Sequence, residues 1–308
     1  MKRFFTFMLL LCFLCSAATG EVLYVSSPEE MPEPNADGFL DEAGVAFAYA
    51  SHTSGLWLYI DADTRLEIQR HQTKSPLLTW YTAEIYCRRG TGLYTRPWNE
   101  SRPGRTNGLP QEIALRDQVV YAQSGDFYSY RVSHDKYPGV ILRDGKILYK
   151  KTYSKYVHAT PNLATLGLWA SGRGEVHECY EMSAADYQKA GAENVLAFGP
   201  ILLKNGEIQD LSDKAYRYSE PRSCMGIVED GHYVGLLVEG RKAHSEGADL
   251  QTCARILQDM GCMDAINLDG GNTSAMLFLG SSVQLSEKGG EDVNDRTIPD
   301  ILCAGKLP

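Results

Sequence analysis

Asp-Gly or Asn-Gly pairs punctuate the apolar runs of this chain, and that punctuation limits the fold more than any other feature. Asp144-Gly145 parts Val140-Ile141-Leu142 from Ile147-Leu148-Tyr149, and Asp230-Gly231 parts Ile227-Val228 from the run Tyr233 to Val238. Asn205-Gly206 follows Ile201-Leu202-Leu203. These dipeptides supply the positive-φ residues of tight hairpin turns, so the sheet is predicted to be largely antiparallel. Helical signals are few. Ser183 with Asp186 three residues on resembles a capping box, and Gly191 is placed to end that helix. Leu250, Cys253, Ala254 and Leu257 repeat at helical spacing, which predicts an amphipathic helix over 249–260 with Gly261 as its stop. The fold class is therefore α+β, a twisted, largely antiparallel sheet with a few packed helices.

The N-terminus stands apart. Lys2-Arg3, an apolar run from Phe4 to Cys15 and then Ser16-Ala17-Ala18 read as a secretory signal peptide over 1–20. The run is shorter than the ~20 residues a bilayer span needs, so an exported product, secreted or held at the cell surface without stable membrane insertion, is expected. Residues 21–79 read as a leader region, irregular around Pro28, Pro32 and Pro34 and then adding a strand near Trp57-Leu58-Tyr59-Ile60. Residues 80–308 read as the main domain. The formal charge is −9, and loss of Lys2 and Arg3 makes it −11. That sign opposes nucleic acid and anionic membranes as partners. Cys87, Cys179, Cys224, Cys253, Cys262 and Cys303 remain after cleavage, with no C-x-x-C pair to suggest zinc. Asp61-x-Asp63 lacks the glycine and terminal glutamate of a calcium loop and reads as a turn. Neither metal nor cofactor is expected.

The polar octet Asn267-Leu268-Asp269-Gly270-Gly271-Asn272-Thr273-Ser274 lies between Ala265-Ile266 and Ala275 to Leu279. It places a carboxylate, amides, hydroxyls and glycines at a strand end. Glycine there allows backbone to approach a ligand closely. A hairpin turn whose Asp and Asn cap their own backbone is the plainer reading of the same residues.

This octet resembles the signature of the phosphodiester glycosidase family, whose usual form has a third glycine where Asn272 stands. Further segments resemble family elements in the family's order: Ser124-Gly125-Asp126-Phe127-Tyr128, Tyr137 to Gly145, Pro221-Arg222-Ser223-Cys224-Met225-Gly226, Val238-Glu239-Gly240-Arg241, Ser245 to Leu250, and Arg296. The family has asparagine where Ser124 stands and aspartate where Glu239 stands. The resemblance implies a hydrolase that cleaves a sugar-1-phosphodiester, such as one within a phosphorylated glycan of the cell wall or an exopolysaccharide, to free sugar and phosphomonoester. The same departures leave open a carbohydrate- or envelope-binding protein without turnover.

That chemistry needs a carboxylate near an oxocarbenium-like transition state, an activated water or nucleophile, and cations for the departing phosphate. A phosphomonoester has a second pKa of ~6 and leaves readily, so charge neutralisation matters more than a strong acid. Asp269 is the first candidate carboxylate, with Asp126 and Glu239 beside it; their separation decides which is nucleophile or base. Arg222, Arg241 and Arg296 are candidate phosphate ligands, because a guanidinium holds phosphate oxygens in pairs. Asn267, Gly270, Gly271, Thr273 and Ser274 would shape the pocket. Each has a plainer role: Asp126 as a turn residue, Arg241 as a surface cation, Glu239 and Arg241 as a salt bridge. His244 is an available base beside Ser245, but a Ser–His pair needs an orienting third group that the sequence does not identify.

Overall fold

The computed structural model describes residues 20–154, 161–286 and 295–308; nearly all of the expected signal peptide falls outside them. In chain order the strands are β1 (Glu21–Tyr24), β2 (Val45–Ser51), β3 (Leu56–Ile60), β4 (Thr64–Lys74), β5 (Leu77–Cys87), β6 (Tyr94–Pro97), β7 (Val119–Ser124), β8 (Gly139–Arg143), β9 (Lys146–Lys151), β10 (Ala164–Leu168), β11 (Gly174–His177), β12 (Asn194–Phe198), β13 (Ile201–Lys204), β14 (Glu207–Ile208), β15 (Arg222–Glu229), β16 (His232–Val238), β17 (Asp264–Asn267), β18 (Met276–Phe278), β19 (Ser281–Ser282) and β20 (Asp300–Lys306). The helices are α1 (Pro110–Arg116), α2 (Tyr128–Ser133), α3 (Ala184–Lys189) and α4 (Leu250–Asp259).

The strands form a ten-stranded sheet ordered β1-β2-β3-β4-β5-β16-β15-β17-β13-β14 and five-stranded sheets ordered β11-β10-β12-β8-β9 and β19-β18-β7-β20-β6. Pairing is antiparallel apart from β1 with β2. The α+β expectation holds. Asp144-Gly145, Asn205-Gly206 and Asp230-Gly231 each join antiparallel neighbours: β8 to β9, β13 to β14 and β15 to β16. The main core lies where the sheets meet, with Tyr81, Ile85, Tyr121, Leu166, Met225, Ile266 and Leu302 all buried.

Both predicted helices are present. Ser183 accepts from the Asp186 N–H and Asp186 reaches back, closing the capping box of α3. Asp249 caps α4 by accepting from the Thr252 N–H, and Leu250, Cys253, Ala254 and Leu257 are its buried face. Burying each leucine there is worth ~1.5–3 kcal/mol, which fixes α4 on the sheet and so aims β17. The short helices α1 and α2 carry no cap signal and were not expected. Residues 21–79 are also more ordered than an irregular segment plus a strand. They contribute β1 to β4, and residue 80 falls inside β5, which pairs with both β4 and β16. Asp61 accepts from the N–H groups of Asp63 and Thr64, so Asp61-x-Asp63 is a turn. All the cysteines among the described residues are buried and free. No helix among these residues is long and apolar enough to cross a membrane.

Candidate active site

The octet is not a hairpin turn. β17 pairs with β13 and β15 in the large sheet, whereas β18 pairs with β7 and β19 in another. The chain therefore crosses between sheets at the octet. Asn267 pins the corner before it: Nδ2 donates to Gly199 O at 2.9 Å, and its backbone N–H to Pro200 O at 3.0 Å. Asp269 is buried; its N–H donates to Gly125 O at 3.2 Å and its carbonyl accepts from Ser124 Oγ at 3.0 Å. Its Oδ2 accepts from Thr273 Oγ1 at 2.6 Å. A Cβ on Gly270 would lie 2.7 Å from Pro221 O, so only glycine lets the turn lie this close to the entry of β15. Gly271 has φ of +63° and donates its N–H to the same carbonyl at 2.8 Å. Ser274 is buried.

Asp126, just beyond β7, belongs to a buried charge row. Its Oδ1 accepts from Arg131 Nη2, its Oδ2 from the Ala197 N–H at 2.9 Å, and its own N–H donates to Asp300 Oδ1 at 3.0 Å. Asp300 in turn accepts from Arg143. Burial pushes Asp126 up to about 6, with Arg131 pulling the other way and Asp300 adding to the rise. Burial pushes Asp269 up to about 7; the Thr273 hydroxyl opposes this and the charge of Asp126 reinforces it. Arg131, Arg143 and Asp300 were not among the expected site residues. Arg143 stood inside the family-like segment 137–145, and Arg131 lies five residues beyond Asp126, which were the signals available.

Glu239 follows β16 and is buried. Its Oε1 accepts from Tyr81 Oη at 2.7 Å and from the Leu285 N–H at 2.9 Å. Its Oε2 lies 2.6 Å from His244 Nε2 and 3.2 Å from Lys242 Nζ. The expected Glu239–Arg241 salt bridge does not form. Arg241, at φ of +59°, donates from Nε to Glu220 Oε2 and from Nη1 to Asn272 Oδ1, each at 2.8 Å. Ser245 is not the partner of His244 either: its Oγ donates to Glu239 O at 2.6 Å and accepts from the Thr79 N–H at 3.0 Å.

A cleft of about 260 Å³ opens between these loops, lined by Pro221, Glu239 to Lys242, Gly271, Asn272, Ser274, Gln284 and Asp295. The expected residues thus separate into groups. Glu239, Arg241, Gly271 and Ser274 line the cleft. Asp269, Gly270 and Thr273 build the turn behind it, and Asp126 lies beyond, close enough for its charge to reach Asp269. Arg222 is not in the lining; Nε donates to Ala248 O at 3.0 Å and Nη2 to Tyr218 O at 2.7 Å. Arg296 is exposed and adjoins Asp295. A larger hollow of about 350 Å³ among Asp61, Tyr94, Trp169 and Lys306 contains none of the expected residues.

Residues 117–304, more than half of the chain, match the family described as phosphodiester glycosidase. The chain is 26% identical over 173 residues to the SPbeta prophage-derived uncharacterized protein YomE of Bacillus subtilis (strain 168), covering 55% of this chain and 26% of that protein. It therefore spans about a quarter of the length of the curated relative it matches. The structure is similar to that of the zebrafish N-acetylglucosamine-1-phosphodiester alpha-N-acetylglucosaminidase catalytic domain, auto-inhibited by pro-peptide. The TM-score is 0.60 at 19% identity, over 79% of this chain and 83% of that one. A hypothetical protein from Synechocystis gives a TM-score of 0.53 at 13% identity, over 84% of this chain and 63% of that one. At these identities the likeness is one of fold.

Proposed function

This chain belongs to the phosphodiester glycosidase family, and from that membership we propose that it hydrolyses the glycosidic bond of a sugar-1-phosphodiester, releasing free sugar and an intact phosphomonoester. The observation that carries the proposal is the convergence of the Glu239–Lys242 loop and the Asp269 turn on one cleft. Arg241 and Lys242 stand at that cleft as cations for a departing phosphate. Asp269 lies within the turn that forms the opposite wall, and in its ionised form it offsets positive charge developing at an anomeric carbon. Water attacks that carbon, the C–O bond to phosphorus breaks, and the electron pair leaves on the phosphate oxygen.

The substrate fitting this chemistry is a phosphorylated glycan or smaller sugar-1-phosphodiester met outside the cytoplasm, after cleavage of residues 1–20 as a signal. Residues 80–308 would carry the glycosidase unit, with 21–79 completing its large sheet. A panel of sugar-1-phosphodiesters, scored for reducing sugar and for phosphomonoester, tests this reading. Release of inorganic phosphate or of sugar phosphate contradicts it. One observation favours a binding protein without turnover: Arg241 is already held by Glu220 and Asn272. Saturable binding with no product from any substrate on the panel would support that alternative.

A further inference from the structure

Glu239 is a buried carboxylate with its acceptor sites already in use. A carboxylate offers about four lone-pair positions. Here Tyr81 and the Leu285 N–H occupy one oxygen, and His244 and Lys242 the other. A nucleophile or base has to present a lone pair to its target. Glu239 has none to spare without breaking a buried contact, and a broken contact there leaves a buried polar group unpaired.

The imidazole of His244 is placed differently. Its side chain is 23% exposed, so solvent reaches it. Its Nε2 lies 2.6 Å from Glu239 Oε2, a distance that fixes the proton on Nε2 and leaves the lone pair of the neutral ring on Nδ1. The residue is also held through its backbone, because Thr79 Oγ1 donates to His244 O at 3.1 Å. Glu239 and Lys242 of the same loop both line the cleft; His244 stands outside that lining and adjoins it through Glu239 Oε2, so a proton from the cleft would reach the ring only through an intervening water. The groups facing this pair are Lys242 on its own loop, the hydroxyls of Thr79 and Tyr81 from β5, and the Leu285 N–H; Arg70 of β4 acts on Tyr81 through its charge.

Resting on the glycosidase reading, we propose that His244 accepts the proton of the attacking water and that Glu239 is a positioning residue acting through it. As the water oxygen bonds to the anomeric carbon, one of its protons passes to Nδ1. The other stays on the new sugar hydroxyl, the electron pair of the broken C–O bond goes to the phosphate oxygen, and the imidazolium then returns its proton to solvent. Base catalysis suits this reaction because the phosphomonoester leaves without needing a strong acid.

The test compares kcat and KM across pH for the wild type, His244→Ala with and without added imidazole, and Glu239→Gln. His244→Ala is expected to lose about 100-fold or more in kcat, to keep KM within about threefold, to unfold at a somewhat lower midpoint because Glu239 loses a buried partner, and to recover several-fold in kcat with imidazole. Glu239→Gln removes the negative charge that favours the imidazolium, so the acid limb of the rate profile moves to lower pH. An unimpaired His244→Ala enzyme, or an impaired one that imidazole leaves impaired, overturns this assignment while the wild-type activity stands. A wild type that cleaves nothing on the panel overturns the glycosidase reading, and the assignment with it.

Discussion

Arg241 donates from Nη1 to Asn272 Oδ1 at 2.8 Å, joining the loop after β16 to the turn after β17 across the cleft that both line. Asn272 stands where the family usually has glycine, so its amide occupies a guanidinium edge that a phosphate would otherwise use. Asn272→Gly is expected to lower KM for a phosphodiester several-fold while changing kcat less than about twofold, since the phosphate contact is gained equally in the ground and transition states. Arg241→Lys is expected to raise KM, because the paired N–H contacts are lost although charge is kept. Steady-state kinetics over a wide substrate range decide both; an unchanged KM in either variant contradicts this role for Arg241.

Asp269 links stability to pH. Its folded-state value, about 7, lies above the ordinary 3.8. A carboxyl raised in this way favours the folded state below about pH 4, and that contribution is lost as pH rises from about 4 through about 7. The full span corresponds to on the order of 4 kcal/mol. Asp269→Asn removes the ionisation, so the variant is expected to gain on the wild type progressively across that window and to be the more stable protein at pH 8. Its turnover is expected to fall at least ~100-fold. Urea unfolding at pH 4.5 and 8 checks the sign; a variant less stable at pH 8 than at pH 4.5, relative to wild type, contradicts it.

Asp126 is expected to behave as a strut. Asp126→Ala leaves Arg131 buried without its carboxylate, a change that costs about 3–5 kcal/mol. Denaturant unfolding is predicted to show that loss. A variant of wild-type stability with turnover abolished would instead make Asp126 a participant in the reaction.

The hairpins were legible because their signal is local: Asp-Gly and Asn-Gly set the turn whatever surrounds them. The α4 and α3 boundaries were legible for the same reason, from Asp249, Ser183 and the glycines that follow. The crossing at the octet was not. Alternation tells which residues of β17 and β18 face inward, but not which sheet each joins, because that depends on distant partners such as Cys224 and Gln123. The roles of site residues had the same limit. Glu239 was visible as a carboxylate in a family-like motif, but its saturation depends on Tyr81, 158 positions away. Arg222 was visible as a cation, while the carbonyls of Tyr218 and Ala248 that occupy it carry no side-chain signal.

Arg222 is accordingly expected to hold loops together. Arg222→Lys loses donors to both carbonyls, which predicts a stability loss of about 1–3 kcal/mol with KM within about threefold of wild type. Thermal unfolding and kinetics on one preparation separate these effects; a KM increase above tenfold at unchanged stability would return Arg222 to the phosphate.

The site of bond cleavage tests the central claim most directly. Hydrolysis of a sugar-1-phosphodiester in water enriched with oxygen-18, followed by mass analysis of both products, reports which atom the water attacks. Attack at the anomeric carbon predicts the label in the free sugar and an unlabelled phosphomonoester. Label in the phosphomonoester would show attack at phosphorus and contradict the glycosidase account.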